Sequence, residues 1–200
     1  MAASGFRYIN SSKDNDEGDT ESRCIYTVSK IISEGRVREK IRKYVNKGFK
    51  LVNLKLGYYP FWLVIFKVEI QRFIFKPLTM IVPVTVDGIT GKAEISYFKI
   101  KDESEIDGIE RIEVSERQKL NPSISLDEAL ERARDILNFY ITTRAIPKRM
   151  KVEILKTIVL HRPYWIALLK AEDSKEDKKI IVVNAISGEV MEMEGEEYNG

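Results

Sequence analysis

The chain has 200 residues, 44% of them hydrophobic and 32% charged, with a formal net charge of +2; that is a globular composition, enough for one large domain or two small ones sharing a core. Its single Cys24 excludes an intramolecular disulfide, and its longest fully apolar run, Phe61–Phe66, falls far short of the ~18 residues a bilayer span needs. The opening Met1-Ala-Ala-Ser-Gly-Phe-Arg-Tyr lacks the apolar core of a signal peptide, so the expectation is a soluble cytoplasmic protein with no membrane insertion.

Ile, Lys and Glu number 25, 20 and 21 against two Gln, a usage typical of thermophile proteins. Charge is uneven: residues 1–100 hold 17 basic and 10 acidic side chains, residues 101–200 hold 16 and 21, and residues 22–99 alone hold 15 and 5. Such asymmetry marks a nucleic-acid face, or halves that attract each other or a second copy.

Residues 1–22 contain the polar run Ser11–Thr20 with no apolar periodicity and are expected to be a flexible tail, with Phe6, Tyr8 and Ile9 alternating as in a short edge strand. Cys24–Ile32 is apolar and reads as strand or helix entry. A helix is predicted from about Glu34 to Lys47, with Ser33 as N-cap, Val37, Ile41, Tyr44 and Val45 on one stripe, and Gly48 in the left-handed C-terminal position. Its other face carries Arg36, Arg38, Lys40, Arg42, Lys43 and Lys47 against Glu39. Phe49–Leu56 alternates as a strand, Gly57 reads as a turn, and Pro60 opens a strand in which Trp62, Val64, Phe66, Val68 and Ile70 share a face. Its first half is apolar on both faces. Residues 78–86 and 92–98 form a hairpin across Asp87-Gly88-Ile89-Thr90-Gly91, where an Asp accepts backbone N–H bonds and Gly91 supplies positive φ.

Residues 99–124 are a charged, acidic connector with a strand at Ile109–Val114. Ser125 and Glu128 then make a capping box, and Leu126, Ala129, Leu130, Ala133, Ile136, Leu137 and Tyr140 give a helical stripe. Val152–Leu160 is the next strand. It leads into Arg162-Pro163-Tyr164-Trp165-Ile166-Ala167-Leu168-Leu169-Lys170-Ala171-Glu172, which repeats Tyr59-Pro60-Phe61-Trp62-Leu63-Val64-Ile65-Phe66-Lys67-Val68-Glu69 with Pro, Trp, Lys and Glu in register. Asn184-Ala185-Ile186-Ser187-Gly188 closes a second hairpin between Ile180–Val183 and Val190–Met193.

The order helix, strand, Pro-aromatic-Trp strand and Asx…Gly hairpin thus occurs twice. The expected fold class is α+β: two tandem repeats, each one helix packed on an antiparallel sheet, arranged pseudo-symmetrically. The expected divisions are a tail at 1–22, repeats at 23–98 and 125–195, a connector at 99–124, and a tail at 196–200. Pro60, Trp62, Gly91, Pro163, Trp165 and Gly188 form the structural frame of the repeat.

Those residues, Trp62 through Glu69 with Asp87–Gly91 and Trp165 through Glu172 with Asn184–Gly188, resemble the PepSY type of small module. The resemblance implies a cystatin-like fold, one helix on a curved sheet, twice over, and an inhibitory or interaction role beside peptidases or at cell envelopes.

Trp62 and Trp165 read as core or helix-facing packing, and Lys67/Glu69 and Lys170/Glu172 as surface pairs. His161, the only histidine, and Cys24 lie far apart in sequence and make neither a nucleophile pair nor a zinc set. Asp14-Asn15-Asp16-Glu17 and Glu192–Glu197 lack an EF-hand pattern, and no phosphate-loop, dinucleotide or nucleophile-elbow motif is present. No catalytic, cofactor or metal residue is assigned and no enzyme activity is expected. The leading expectation is a non-catalytic protein- or peptide-binding or regulatory module with a protein partner or self-association. A second is nucleic-acid or anion binding by Arg36, Arg38, Lys40, Arg42, Lys43, Lys47 and Lys50, continued by Lys55, Arg23, Lys30, Arg72 and Lys76, with Tyr58, Tyr59 and Tyr97 stacking on bases. A third is a small-ligand or enzymatic cup.

Overall fold

The computed structural model describes residues 22–29, 31–72, 75–100, 106–144, 147–172 and 178–193. The tail expected before Ser22, the edge strand at Phe6–Ile9, the acidic Asp14–Glu17 run and the C-terminal tail lie outside the described residues. Among the described residues the fold is α+β, two helices on one mixed eight-stranded sheet. In chain order the elements are β1 (Ser22–Val28), α1 (Glu34–Val45), β2 (Phe49–Arg72), β3 (Leu78–Asp87), β4 (Ala93–Ile95), β5 (Ile109–Ser115), α2 (Leu126–Arg144), β6 (Pro147–Ala171), β7 (Lys178–Asn184) and β8 (Val190–Met193), with a 3-10 turn at Glu116–Gln118. Among the described residues no helix is long and apolar enough to cross a membrane.

The frame is a pair of very long antiparallel strands. β2, of 24 residues, and β6, of 25, pair from Phe49↔Ala171 to Arg72↔Pro147. Gly57 is therefore not a turn: it lies in mid-strand opposite Tyr164, with Ile166 Cδ1 3.1 Å from where a Cβ would stand. Pro60 likewise sits inside β2, opposite His161, and its carbonyl points outward to accept the Gly88 N–H at 3.0 Å. The missing Pro60 N–H points the same way, so it removes nothing from the β2–β6 ladder. Pro163 does the same in β6, accepting from Ala185 at 3.1 Å.

Beyond each proline the outer neighbour begins. β3 pairs with β2 from Phe61↔Asp87 to Ile70↔Leu78, and β7 pairs with β6 from Tyr164↔Asn184 to Lys170↔Lys178. β4 and β8 extend these hairpins. At mid-length β1 adds to β6 in parallel at Tyr26↔Leu160 and Thr27↔His161, and β5 lies antiparallel on β1.

Each helix lies over strands drawn from both halves of the chain. Val37, Ile41 and Tyr44 of α1 pack with Ala167, Leu169, Ile181 and Val183 and with Phe49, Leu51 and Leu54. Ala129, Ala133, Leu137 and Ile141 of α2 pack with Val64, Phe66, Val68, Ile70, Val82, Val84 and Val86. The expectation of a helix covering its own half's hairpin is corrected by reach. A 12-residue helix is about 18 Å long, whereas β2 spans about 80 Å. After the three residues Asn46–Gly48, α1 covers only the start of β2, and the β2–β3 hairpin lies beyond it, under α2.

Local details also shift. Val45 is 40% exposed, off the buried stripe, and so is Leu126 at 42%; Ile141 takes a core place instead. Ser33 holds the N-cap position without a side-chain bond. Ser125 Oγ accepts the Glu128 N–H at 3.2 Å, but the Glu128 carboxylate turns to Arg132, which makes half a capping box.

Candidate functional site

Three places carry polar chemistry or uncovered apolar surface. The first is the basic helix. Arg36, Arg38, Lys40, Arg42, Lys43 and Lys47 are all exposed. Arg38 pairs with Glu34 at 2.7 Å, Lys43 lies 4.7 Å over the Tyr44 ring, and the Lys40 stem crosses Gly188 of the β7–β8 turn. Lys50, also exposed, does not continue this face. Its neighbours Phe49 and Leu51 point to the α1 core, so strand alternation turns Lys50 to the other side of the sheet. Tyr58 and Tyr59 are 7% and 2% exposed and closed to stacking bases, while Tyr97 is 90% exposed. Arg72 turns back on the Lys76 carbonyl. Lys30 and the Arg23 side chain lie outside the described residues.

The second place is the mid-length crossing of β2 and β6. Tyr59 stands opposite Arg162 in the ladder. The Tyr59 hydroxyl donates to Asp87 Oδ1 at 2.9 Å, and the same oxygen accepts the Ile89 and Thr90 N–H groups at 2.9 Å each. Burial, and then the bond to Asp87, push the Tyr59 hydroxyl far above its ordinary pKa, so it stays a donor. Tyr164 packs edge-on to Tyr59, and Arg162 stacks 4.1 Å over Phe61 while reaching Glu94 at 3.7 Å. This network locks the turn after β3 onto the centre of β2. At the equivalent turn Asn184 Oδ1 accepts the Ile186 and Ser187 N–H groups.

Beside it, Thr27 Oγ1 donates to the His161 carbonyl at 2.8 Å, and His161 Nε2 donates to the Leu120 carbonyl at 3.2 Å. That contact fixes the proton on Nε2 and leaves Nδ1, buried, with no hydrogen-bond partner among the described residues. Burial holds the imidazole pKa below its usual value; the Leu120 bond opposes this and the Lys119 charge adds to it.

The two tryptophans are half-buried bolts between sheet and helix. Trp165 Nε1 donates to the Ile32 carbonyl at 3.1 Å, just before α1, and Trp62 Nε1 to the Ile124 carbonyl at 3.4 Å, just before α2. Gly91 and Gly188 have φ of +72° and +73°, and a Cβ at either would stand under 3 Å from the Arg132 or Lys40 side chain of the overlying helix.

The third place is the side of β6, β7 and β8 turned away from α1. Since Ala167, Leu169, Ile181 and Val183 face α1, alternation puts Ile166, Leu168, Ile180, Val182, Met191 and Met193 on the reverse side, adjacent through Ile166↔Val182↔Met191 and Leu168↔Ile180↔Met193. Val182 is 1% exposed at the centre, the other five are half-buried, and none of the six belongs to the four apolar cores. The rung Lys50↔Lys170↔Lys178 closes one end of this side. The corresponding side of β2, at Leu63 and Ile65, is covered by Phe98, Ile100, Ile106 and Ile109. Sequence reasoning missed this surface because alternation shows which residues share a side of a strand but not which side a helix covers, and the lysine rung needs the Lys50↔Lys170 pairing across 120 residues.

A cavity of about 240 Å³ lies between α2 and β6, lined by Arg134, Leu137, Asn138, Val152 and Ile154. Among the described residues no three His, Cys, Asp or Glu side chains gather in metal-binding geometry. No protein-family model matches the chain, and no curated protein or solved structure matches it either.

Proposed function

We propose that this chain is a non-catalytic binding or regulatory module that takes a protein or peptide partner on the reverse side of β6–β7–β8. The carrying observation is the contrast between two matching sheet surfaces: Leu63 and Ile65 lie in a core with Phe98, Ile100, Ile106 and Ile109, whereas Ile166 and Leu168, at the same places after Pro163, are half-buried and belong to none of the apolar cores. A half-buried apolar patch bordered by charge is a usual composition of an interaction surface.

In this reading the chain is a tandem, pseudo-symmetric pair of PepSY-like units whose helices are exchanged. Support comes from matched bonds: Gly88 and Ala185 N–H to the two prolines, Trp62 and Trp165 to the carbonyls before α2 and α1, and Asp87 and Asn184 closing identical turns. The shared frame is then structural, and binding falls where the halves differ. Affinity purification with the full chain and a Leu168→Glu variant tests it. A partner held by the wild type and lost by the folded variant supports the reading; equal recovery by both refutes it.

A second reading has one observation in its favour, the run of five exposed cations along α1, followed by Lys47 just after it. Nucleic acid bound there would be salt-sensitive, and neutralising Arg38, Arg42 and Lys43 together would abolish filter retention.

A further inference from the structure

Lys50, Lys170 and Lys178 stand side by side on one rung of three adjacent strands. Like charges directly opposite one another weaken a sheet. Among the described residues none of the three takes part in a salt bridge, so nothing in the described fold offsets that repulsion. The row borders the apolar patch of Ile166, Leu168, Ile180, Val182, Met191 and Met193, and Met191 and Met193 are adaptable side chains suited to accepting another chain's anchors.

We infer that this surface binds an extended acidic peptide segment whose large apolar side chains seat on the Leu168–Ile180–Met193 row while its carboxylates meet Lys50, Lys170 and Lys178. The inference rests on the binding-module reading and adds the chemistry of the partner. The chain itself carries a segment of that composition: residues 96–109 hold Phe98, Ile100, Ile106 and Ile109 together with Asp102, Glu103, Glu105 and Asp107, and with Lys99 and Lys101, and its described arms pair with each other at Ile100↔Ile106. Its Phe98, Ile100, Ile106 and Ile109 cover the matching surface at Leu63 and Ile65. The half-buried β6–β7–β8 surface has three lysines where positive charge would select the acidic component.

The test titrates the full-length protein with a labelled synthetic peptide of residues 96–109, read by fluorescence anisotropy. Two control peptides are used, one with its four apolar anchors changed to Ser and one with its carboxylates changed to amides. The original peptide is expected to bind about tenfold more tightly than either control, and to weaken as salt rises from about 50 mM to about 300 mM. Leu168→Glu, and separately Lys170→Glu with Lys178→Glu, are expected to reduce binding about tenfold. Unchanged circular dichroism shows that these variants fold, and the lysine changes relieve repulsion rather than open a core. Equal binding of the amide peptide, or binding that survives Leu168→Glu, overturns the inference. So does a dimer in light scattering that Leu168→Glu dissociates, which assigns the surface to a second copy. Binding that appears only after residues 194–200 are removed assigns it to the chain's own end and also overturns it. If no acidic peptide binds while purification still recovers a Leu168-dependent partner, the binding-module reading stands and the acidic chemistry falls.

Discussion

His161 sits 6% exposed where β1, β6 and the segment leading to α2 meet, with Nε2–H given to the Leu120 carbonyl and Nδ1 left alone. Adding a proton to Nδ1 would create a buried charged donor with no acceptor among the described residues, near Lys119. The folded-state pKa is therefore lowered from 6.5, so the unfolded chain binds more protons between the two values and stability rises with pH there. Stability is fully present above 6.5 and falls on acidification below it, by at most about 1.4 kcal/mol per pH unit for one proton. Glu192 is also shifted, down from 4.5 by its bonds to Lys179 and then Tyr44; its contribution is present above 4.5 and lost only as pH falls further. Denaturant midpoints between pH 7.5 and 5 thus isolate the histidine. His161→Gln is expected to flatten the profile, and parallel wild-type and variant curves would refute the assignment. Gly91 and Gly188 make a simpler residue-level case. At φ of +72° and +73° an Ala costs about 1–2 kcal/mol and an Asn less, because the Arg132 and Lys40 side chains above can move while the backbone cannot. Equal losses for Ala and Asn would point instead to a clash.

At the scale of elements, the indole bonds join each hairpin to the segment before a helix. Trp165→Phe removes a 3.1 Å donor to the Ile32 carbonyl, Trp62→Phe a 3.4 Å donor to Ile124. The first change is expected to cost about 1 kcal/mol and the second less, read as shifts in denaturant midpoint; a larger loss at Trp62 would show that ring packing decides. Some of this was legible beforehand. Val37, Ile41 and Tyr44, or Ala129, Ala133 and Leu137, recur at helical spacing and do face a core, because periodicity reports which side of a helix is dry. It does not report what lies opposite, so the crossing of α1 onto β6 and β7 was not legible. Phe61–Phe66, apolar at every position, correctly announced a strand covered on both sides. Gly57 and Pro60 misled, since their local preferences are those of turns and strand starts. The structure tolerates both in mid-strand: Gly57 makes room for Ile166, and Pro60 directs its missing donor outward, on the side that its carbonyl gives to Gly88. Tyr58 and Tyr59 were misjudged for the same reason, since burial at a strand crossing depends on a distant partner.

For the whole molecule, the length of β2 and β6 leaves neither half of the chain with a core of its own. The α1 core takes Ala167, Leu169, Ile181 and Val183 from beyond residue 160, and the α2 core takes Val64, Phe66, Val82 and Val84 from before residue 90. The β2–β6 ladder runs through both. Unfolding one core strips the partner strands from the other, so cooperativity should extend over the entire chain. The two tryptophans provide independent reporters, Trp62 packed against the α2 core and Trp165 against the α1 core. In single-tryptophan variants, Trp62→Phe and Trp165→Phe, the remaining indole is expected to report one urea transition whose midpoint coincides with that of far-ultraviolet circular dichroism. Leu137→Ala, which opens a cavity in the α2 core alone, should cost about 2–5 kcal/mol. It should lower the midpoint seen by Trp165 as much as that seen by Trp62, although Trp165 packs against the other core. A midpoint at Trp165 unmoved by Leu137→Ala would mean that the two cores melt separately. The packing of α1 on β6 and β7 and of α2 on β2 and β3 would then be a feature of connectivity without a cooperative consequence.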